Sequence, residues 1–418
     1  MAIQKYFLLL LLPVLCTPML LSAQYHTGDM IGVSTNGRLF RATRSGMVTT
    51  YHYGTGTLSG WMMDYDNENM LVTDSTWKRL FLISRNMVVT RIFNITQHAP
   101  MNLALDHNGT IFFTDILAEG VIGFHAAGGL SPVVTSLSTS LHGGLVVDID
   151  TSHLLMTRSF GTVDQNPILQ VSRDGSIIST LHTGVYGMFG MTQTMDGSLW
   201  VGSCCSTSPL PRVLYSTTRG QTQADVHLST IPTTSITGIQ CLAADRSSAP
   251  TQRLLLGVHD RKGFWLHDVD TGTTTKVTDV DADLFAVGFV GSRNLGCILN
   301  SPRVWRMNVT FPGEAGKFYQ VLLSLTGVRP PTTLPDGRRV WFQPDALTVA
   351  TLNGSLEPFL IRATGILNSR HQAYPEINLS ALPAALNGTL IWAIAATIDA
   401  SAPLGLGTIS DPMVIRIE

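Results

Sequence analysis

A unit of strand, tight turn and strand recurs five times between Trp61 and Val258, and it limits the chain to folds that stack like units. Its clearest copy runs from Met101 to Asp115. There Leu103 and Leu105 alternate with Asn102 and Ala104, Asn108-Gly109 supplies the positive backbone angles of a hairpin turn, and Ile111-Phe112-Phe113 returns. Aligned on this copy, Asp64, Asp106, Asp148, Thr194 and Asp245 fall in one column, spaced by 42, 42, 46 and 51 residues. Nearly continuous apolar second strands follow at Met70 to Asp74, Ile111 to Asp115, Leu154 to Arg158, Leu199 to Ser203 and Leu254 to Val258, as expected of strands covered on both faces.

Units of this length suit the four-stranded blades of a β-propeller, because helical repeats are shorter and carry a 3.6-residue period. Met30 to Tyr53 supplies strands two, three and four of such a blade without a first strand, and residues 283–291, after the last full unit, supply a first strand without a blade. A ring closes when its terminal blade is built from both ends of the chain. The expected fold is therefore all-β: a six-bladed propeller over residues 29–291, its first blade shared with 283–291, with seven blades as the alternative if Leu295 to Asn308 joins the ring. From 292 to 418 the register is lost. About seven short strands in this stretch, including Leu347 to Leu352, broken by Pro-Gly and Asp-Gly turns, read as a β-sandwich.

The first 23 residues read as a secretory signal, with Lys5, an apolar run from Phe7 to Leu15 and Ser22-Ala23 as the cleavage site. Export to the periplasm, the cell surface or the medium follows, with no membrane span in the mature chain. The net charge of −2 over 418 residues gives no electrostatic footprint for nucleic acid. Without Cys16, four cysteines remain, too few for a disulfide scaffold and in no zinc spacing; a bridge from Cys204 or Cys205 to Cys241 is geometrically open.

In a propeller the first strand starts and the second ends on one face beside the central channel. That geometry gathers Asp74, Asp115, Arg158 and His259 from second-strand ends and His98, Asn102 and His142 from first-strand starts, a set able to bind a cation or a polar ligand. Each has a plainer reading, as a turn cap for the aspartates and a hydrogen-bonded structural residue for the histidines. The column from Asp64 to Asp245 lies at the opposite turns and reads as capping.

The repeat Leu105-Asp-His-Asn-Gly-Thr-Ile-Phe-Phe-Thr-Asp115 with an apolar third strand resembles NHL-type propellers and the related gluconolactonase-like and strictosidine-synthase-like six-bladed propellers, over residues 29–291. The C-terminal part resembles a sandwich appended to large secreted bacterial proteins, which implies export and no chemistry. The gluconolactonase resemblance implies a divalent metal, calcium or zinc, held in the channel by a Glu and by Asn residues. Pro100-Met-Asn102 resembles the Asn element, but Leu58-Ser-Gly-Trp61 stands where the Glu belongs. No Gly-x-Ser-x-Gly, catalytic triad or zinc constellation is present. The expectation is a secreted, non-catalytic propeller without a cofactor that binds a protein, glycan or small ligand at its channel face; the alternative is a metal-dependent hydrolase or lyase of the gluconolactonase-like class.

Overall fold

A computed structural model describes residues 25–26, 28–64, 69–106, 109–117, 120–125, 129–134, 143–157, 166–172, 174–185, 188–203, 214–218, 221, 225–226, 238–246, 251–259, 262–291, 295–301, 303–380 and 383–417. The signal segment, His142, Arg158, Cys204 and Cys205 lie outside the described residues.

The repeat folds as a β-propeller. Among the described residues, six four-stranded antiparallel sheets lie between Met30 and Phe289, and in five of them the four strands are consecutive in the chain. The remaining sheet joins Ala286–Phe289 to Met30–Val33, with Met30 opposite Phe289 and Val33 opposite Ala286. Ladder hydrogen bonds thus tie the two ends of the repeat region together. Second strands such as Asn69–Asp74 and Ile111–Asp115 are almost wholly buried, whereas the outer strands Val48–His52, Val89–Asn94 and Thr274–Thr278 alternate between half-buried and exposed. The apolar runs are buried because they meet neighbouring sheets on both faces; the outer strands are polar because water lies beyond them.

Leu295–Ser301 does not extend the ring. It pairs with Val304–Thr310 in a five-stranded sheet of the C-terminal part, opposite a second five-stranded sheet built on Phe318–Ser324 and Leu390–Ile398. One hydrophobic core, including Trp305, Met307, Phe311, Tyr319, Leu323, Ile377 and Ile415, is shared by strands of both sheets. Leu347 to Leu352 is not a strand: Ala346–Leu352 is a short α-helix. Its β-branched residues suggest a strand, but Asp345 accepts from Thr348 N while Thr348 Oγ1 accepts from Asp345 N, a capping box that fixes the first turn.

The C-terminal part is seated against the turns that carry the aspartate column. Val328 and Trp341 pack on Ile149 and Met195. Arg329 pairs with Asp150, Arg339 reaches Asp270 at 3.3 Å, and Arg416 donates to the Thr151 carbonyl at 2.9 Å. One end of the central channel is therefore roofed by the chain's own C-terminal part.

Candidate functional site: the mouth of the channel

At the other end, four of the six inner strands begin with an irregularity in the ladder. The ladder shifts register between Leu58 and Gly60, Pro100 and Leu103, Met188 and Gly190, and Ile239 and Cys241. A Cβ on Gly60 would sit 2.0 Å from the Met101 carbonyl oxygen, one on Gly144 2.4 Å from the Met191 amide nitrogen, and one on Gly190 2.8 Å from the Cys241 Cα. Only glycine permits such an approach. These glycines occupy the Asn102 position of their units, a column that the repeat register contains and that a search for charged residues passes over, since it holds none.

Asn102 is the one amide among these positions, and it fills its place by reaching across. Its Nδ2 donates to the Gly143 carbonyl at 2.8 Å in the next sheet, and its backbone amide donates to Thr114 Oγ1 at 3.2 Å. Ser59 and Thr73 make parallel links, donating to the Pro100 and Met101 carbonyls, each at 2.8 Å. Asn102 still borders the channel mouth together with Gly60, Gly190, Cys241 and Ala286.

The two aspartates that end second strands are fully buried and act on the backbone. Asp74 accepts from Trp77 N and from the Arg79 guanidinium, both at 3.0 Å. Asp115 accepts from Ala99 N at 2.8 Å and Leu117 N at 3.0 Å through Oδ1, and its Oδ2 lies 2.5 Å from Nδ1 of His98. Their common product is a pair of rigid turns in adjacent sheets, each presenting an apolar side chain to solvent: Trp77 is 55% exposed and Leu117 56%. The connection between them is also fixed, since Ile95 N donates to the Lys78 carbonyl and His98 N to the Ile95 carbonyl. Arg79 lies 5.9 Å from the Trp77 ring centroid.

His259 ends the strand Arg253–His259, opposite Gly238, and so shares the mouth end with Asn102. Cys241 is a free thiol, and Cys204 and Cys205, the partners that the sequence allowed, lie outside the described residues. It points into the wedge between sheets, where its Sγ donates to the Leu284 carbonyl at 3.2 Å, and burial pushes its pKa up. The aspartate column at the far turns is structural. Asp106 accepts from Thr110 N at 3.1 Å, Asp148 from Gln193 Nε2 at 3.0 Å, and Asp245 pairs with Arg253 at 2.8 Å.

A channel dication is not supported by these residues. Asn102 offers one neutral oxygen among glycine, alanine and a buried thiol, Asp74 and Asp115 are committed to backbone amides and to Arg79 and His98, and no group of three or more His, Cys, Asp or Glu suited to a metal occurs among the described residues. A hard cation needs several oxygens and usually carboxylate charge.

The channel wall is of mixed polarity, because the large inner-strand side chains beside it pack into the cores between sheets. Trp61, Leu103, Leu145, Met191, Leu242 and Val287, one from each sheet, line it from the mouth inward, and Arg246 stands at its deep end. Beyond Arg246, a cavity of about 70 Å³ is walled by Asp64, Asp106 and Asp148 and by Val328, Trp392 and Asp411 of the C-terminal part.

No protein-family model matches the chain, and no curated protein does. Among solved structures, a chain of the nidogen/laminin complex is 15% identical, with a TM-score of 0.51 over 63% of this chain and 98% of that one. A streptogramin B lyase is 12% identical, with a TM-score of 0.44 over 68% of this chain and 92% of that one. A gluconolactonase from Xanthomonas campestris is 11% identical, with a TM-score of 0.44 over 68% of this chain and 93% of that one. The nidogen/laminin likeness shows a β-propeller fold. No helix among the described residues is long and apolar enough to cross a membrane.

Proposed function

We propose that this is an exported, non-catalytic propeller that docks a protein partner on its mouth face, through the turns after Asp74 and Asp115. The observation that carries the proposal is the pairing of two buried carboxylates with two exposed apolar side chains, Trp77 and Leu117, on adjacent sheets. Rigid, solvent-facing apolar groups lose little conformational entropy on association, and Trp beside Arg is the composition of interface hot spots. The opposite end of the channel is taken by the C-terminal part. Export rests on the N-terminal signal. The hydrolase reading would require a held dication, and Asn102 provides a single neutral ligand.

The test is retention of extracellular proteins from the source on the immobilised mature chain, compared with a Trp77→Ala/Leu117→Ser double variant and an Ile366→Ser control. The wild type and the control should hold the same discrete partner and the double variant should lose it at least tenfold. Equal retention by all three would sink the proposal, as would calcium- or zinc-dependent lactone hydrolysis by the purified chain.

A further inference from the structure

The second sheet of the C-terminal part has two unlike ends. Near Trp392 and Arg416 it meets the propeller. At the other end Ile366, Phe318, Ile398 and Leu406 stand directly opposite one another on four neighbouring strands, Thr364–Ile366, Phe318–Ser324, Leu390–Ile398 and Leu406–Ile409. Directly opposed residues share a face. That face is the outer one, because Tyr319 and Leu367, next in the chain to Phe318 and Ile366, turn into the core between the two sheets. Ile366 is 68% exposed, Phe318 44% and Ile398 41%, and Leu404, on the turn that joins the last two strands, is 55% exposed. Among the described residues the sheet ends at Thr364–Ile366, an edge strand with neither charge nor proline to keep another chain away.

We propose that this row is the contact of a two-fold dimer, in which a second copy of the chain docks face to face, row against row. Two observations select a second copy. The first is area. At ~200 Å² for a whole large apolar side chain, Ile366, Phe318, Ile398 and Leu404 together expose roughly 400 Å². A standard interface buries about 800 Å² on each partner, a little over half of it apolar, so the patch supplies most of the apolar share of one dimer contact. The second is charge. Lys317, next to Phe318, lies 2.7 Å from Asp399 and 3.7 Å from Glu314, and Arg338, which donates to the Leu406 carbonyl, lies 2.7 Å from Asp336. A border of paired charges of both signs attracts no strongly charged partner. It suits a copy of itself, since a two-fold axis lets the cations of each chain face the anions of the other. Because the sheet's opposite end carries the propeller, the dimer leaves both mouth faces to their partners, and the inference stands independently of docking on the Trp77 and Leu117 turns.

Sedimentation velocity of the mature chain from about 1 μM to about 500 μM tests it. The expected result is a reversible shift from the mass of one chain to that of two. Ile366→Lys, which sets like charges against each other across the axis, and Phe318→Ser should each weaken the dimer at least tenfold, and both replace side chains that face solvent in the single chain. Trp77→Ala/Leu117→Ser should leave the dimer unchanged. Hydrogen exchange on the unaltered protein locates the contact without any substitution, since amides of Thr364–Ile366 and Leu404 to Leu406 should slow as concentration rises. The proposal is overturned by the mass of one chain across the whole range, by folded variants that dimerise like the wild type, by protection that arises elsewhere instead, or by monomeric wild type that binds phosphatidylcholine vesicles through this row.

Discussion

His98 Nδ1 lies 2.5 Å from Asp115 Oδ2, and the same carboxylate holds the backbone amides of Ala99 and Leu117. One buried side chain thus fastens the connection into the third sheet to the turn that leaves its second strand. Asp115→Ala would leave two buried amides and an imidazole without their acceptor. The expected loss is about 2–4 kcal/mol, read as a lower urea midpoint. His98→Ala should cost less, about 1–2 kcal/mol, because the amides keep their acceptor. A double-mutant cycle showing no coupling between the two positions would contradict the arrangement.

Asn102 separates a structural from a ligand role cleanly. Asn102→Ala removes the link to the Gly143 carbonyl and should destabilise the propeller by about 1–2 kcal/mol. Gly60→Ala places a methyl against the Met101 carbonyl and should cost more, about 2–3 kcal/mol, as overpacking against backbone. A chemical-denaturation series gives both numbers. An Asn102→Ala protein with unchanged stability would show that the amide is not a clip.

The helix cap at Asp345 predicts a pH dependence. Burial alone would raise this carboxyl's pKa, but hydrogen bonds from Leu325 N, Thr348 N, Thr326 and Ser324 outweigh it and hold the value below the ordinary 3.8. Because the folded value is the lower one, its stabilisation is present above pH 3.8 and lost as pH falls through the folded value. Asp345→Ala should cost about 2 kcal/mol at pH 7. The difference from wild type should shrink as the medium is acidified below pH 3.8; a difference independent of pH would refute the charged cap.

Cys241 predicts the opposite slope. Burial raises its thiol pKa from 9.0, so the folded chain keeps the proton where the unfolded chain has lost it. Stability from this group is complete below pH 9.0 and falls as pH rises above that value. Iodoacetamide at pH 8 should leave Cys241 unmodified in native protein and alkylate it in urea, as peptide mass mapping will read. Rapid native labelling would mean that the wedge between sheets opens.

Much of the propeller is legible in the chain because its information is local and repeated. Leu103, Leu105 and Ile111 to Phe113 state a hairpin, its copies state a ring, and unpaired Met30–Val33 finds its partner in Ala286–Phe289 because a buried strand edge must be paired. The site was legible only as positions. Asp74, Asp115 and Asn102 stand at strand ends that the repeat register names, yet their partners are Trp77, His98 and the Gly143 carbonyl, choices made by packing at distances that no spacing encodes. Two further matters belong to tertiary structure alone. The chemistry of the channel wall depends on how far each sheet draws its inner-strand side chains into the cores between sheets, and the roofing of its base depends on Val328 and Trp341 meeting Ile149 and Met195 across 133 to 192 residues of chain. The sequence by itself determined the strands, their order and the closure of the ring, since alternation and turn chemistry act between near neighbours; where charge was buried, where apolar surface was left in contact with solvent, and which end of the channel the C-terminal part covers were decided by contacts between distant segments.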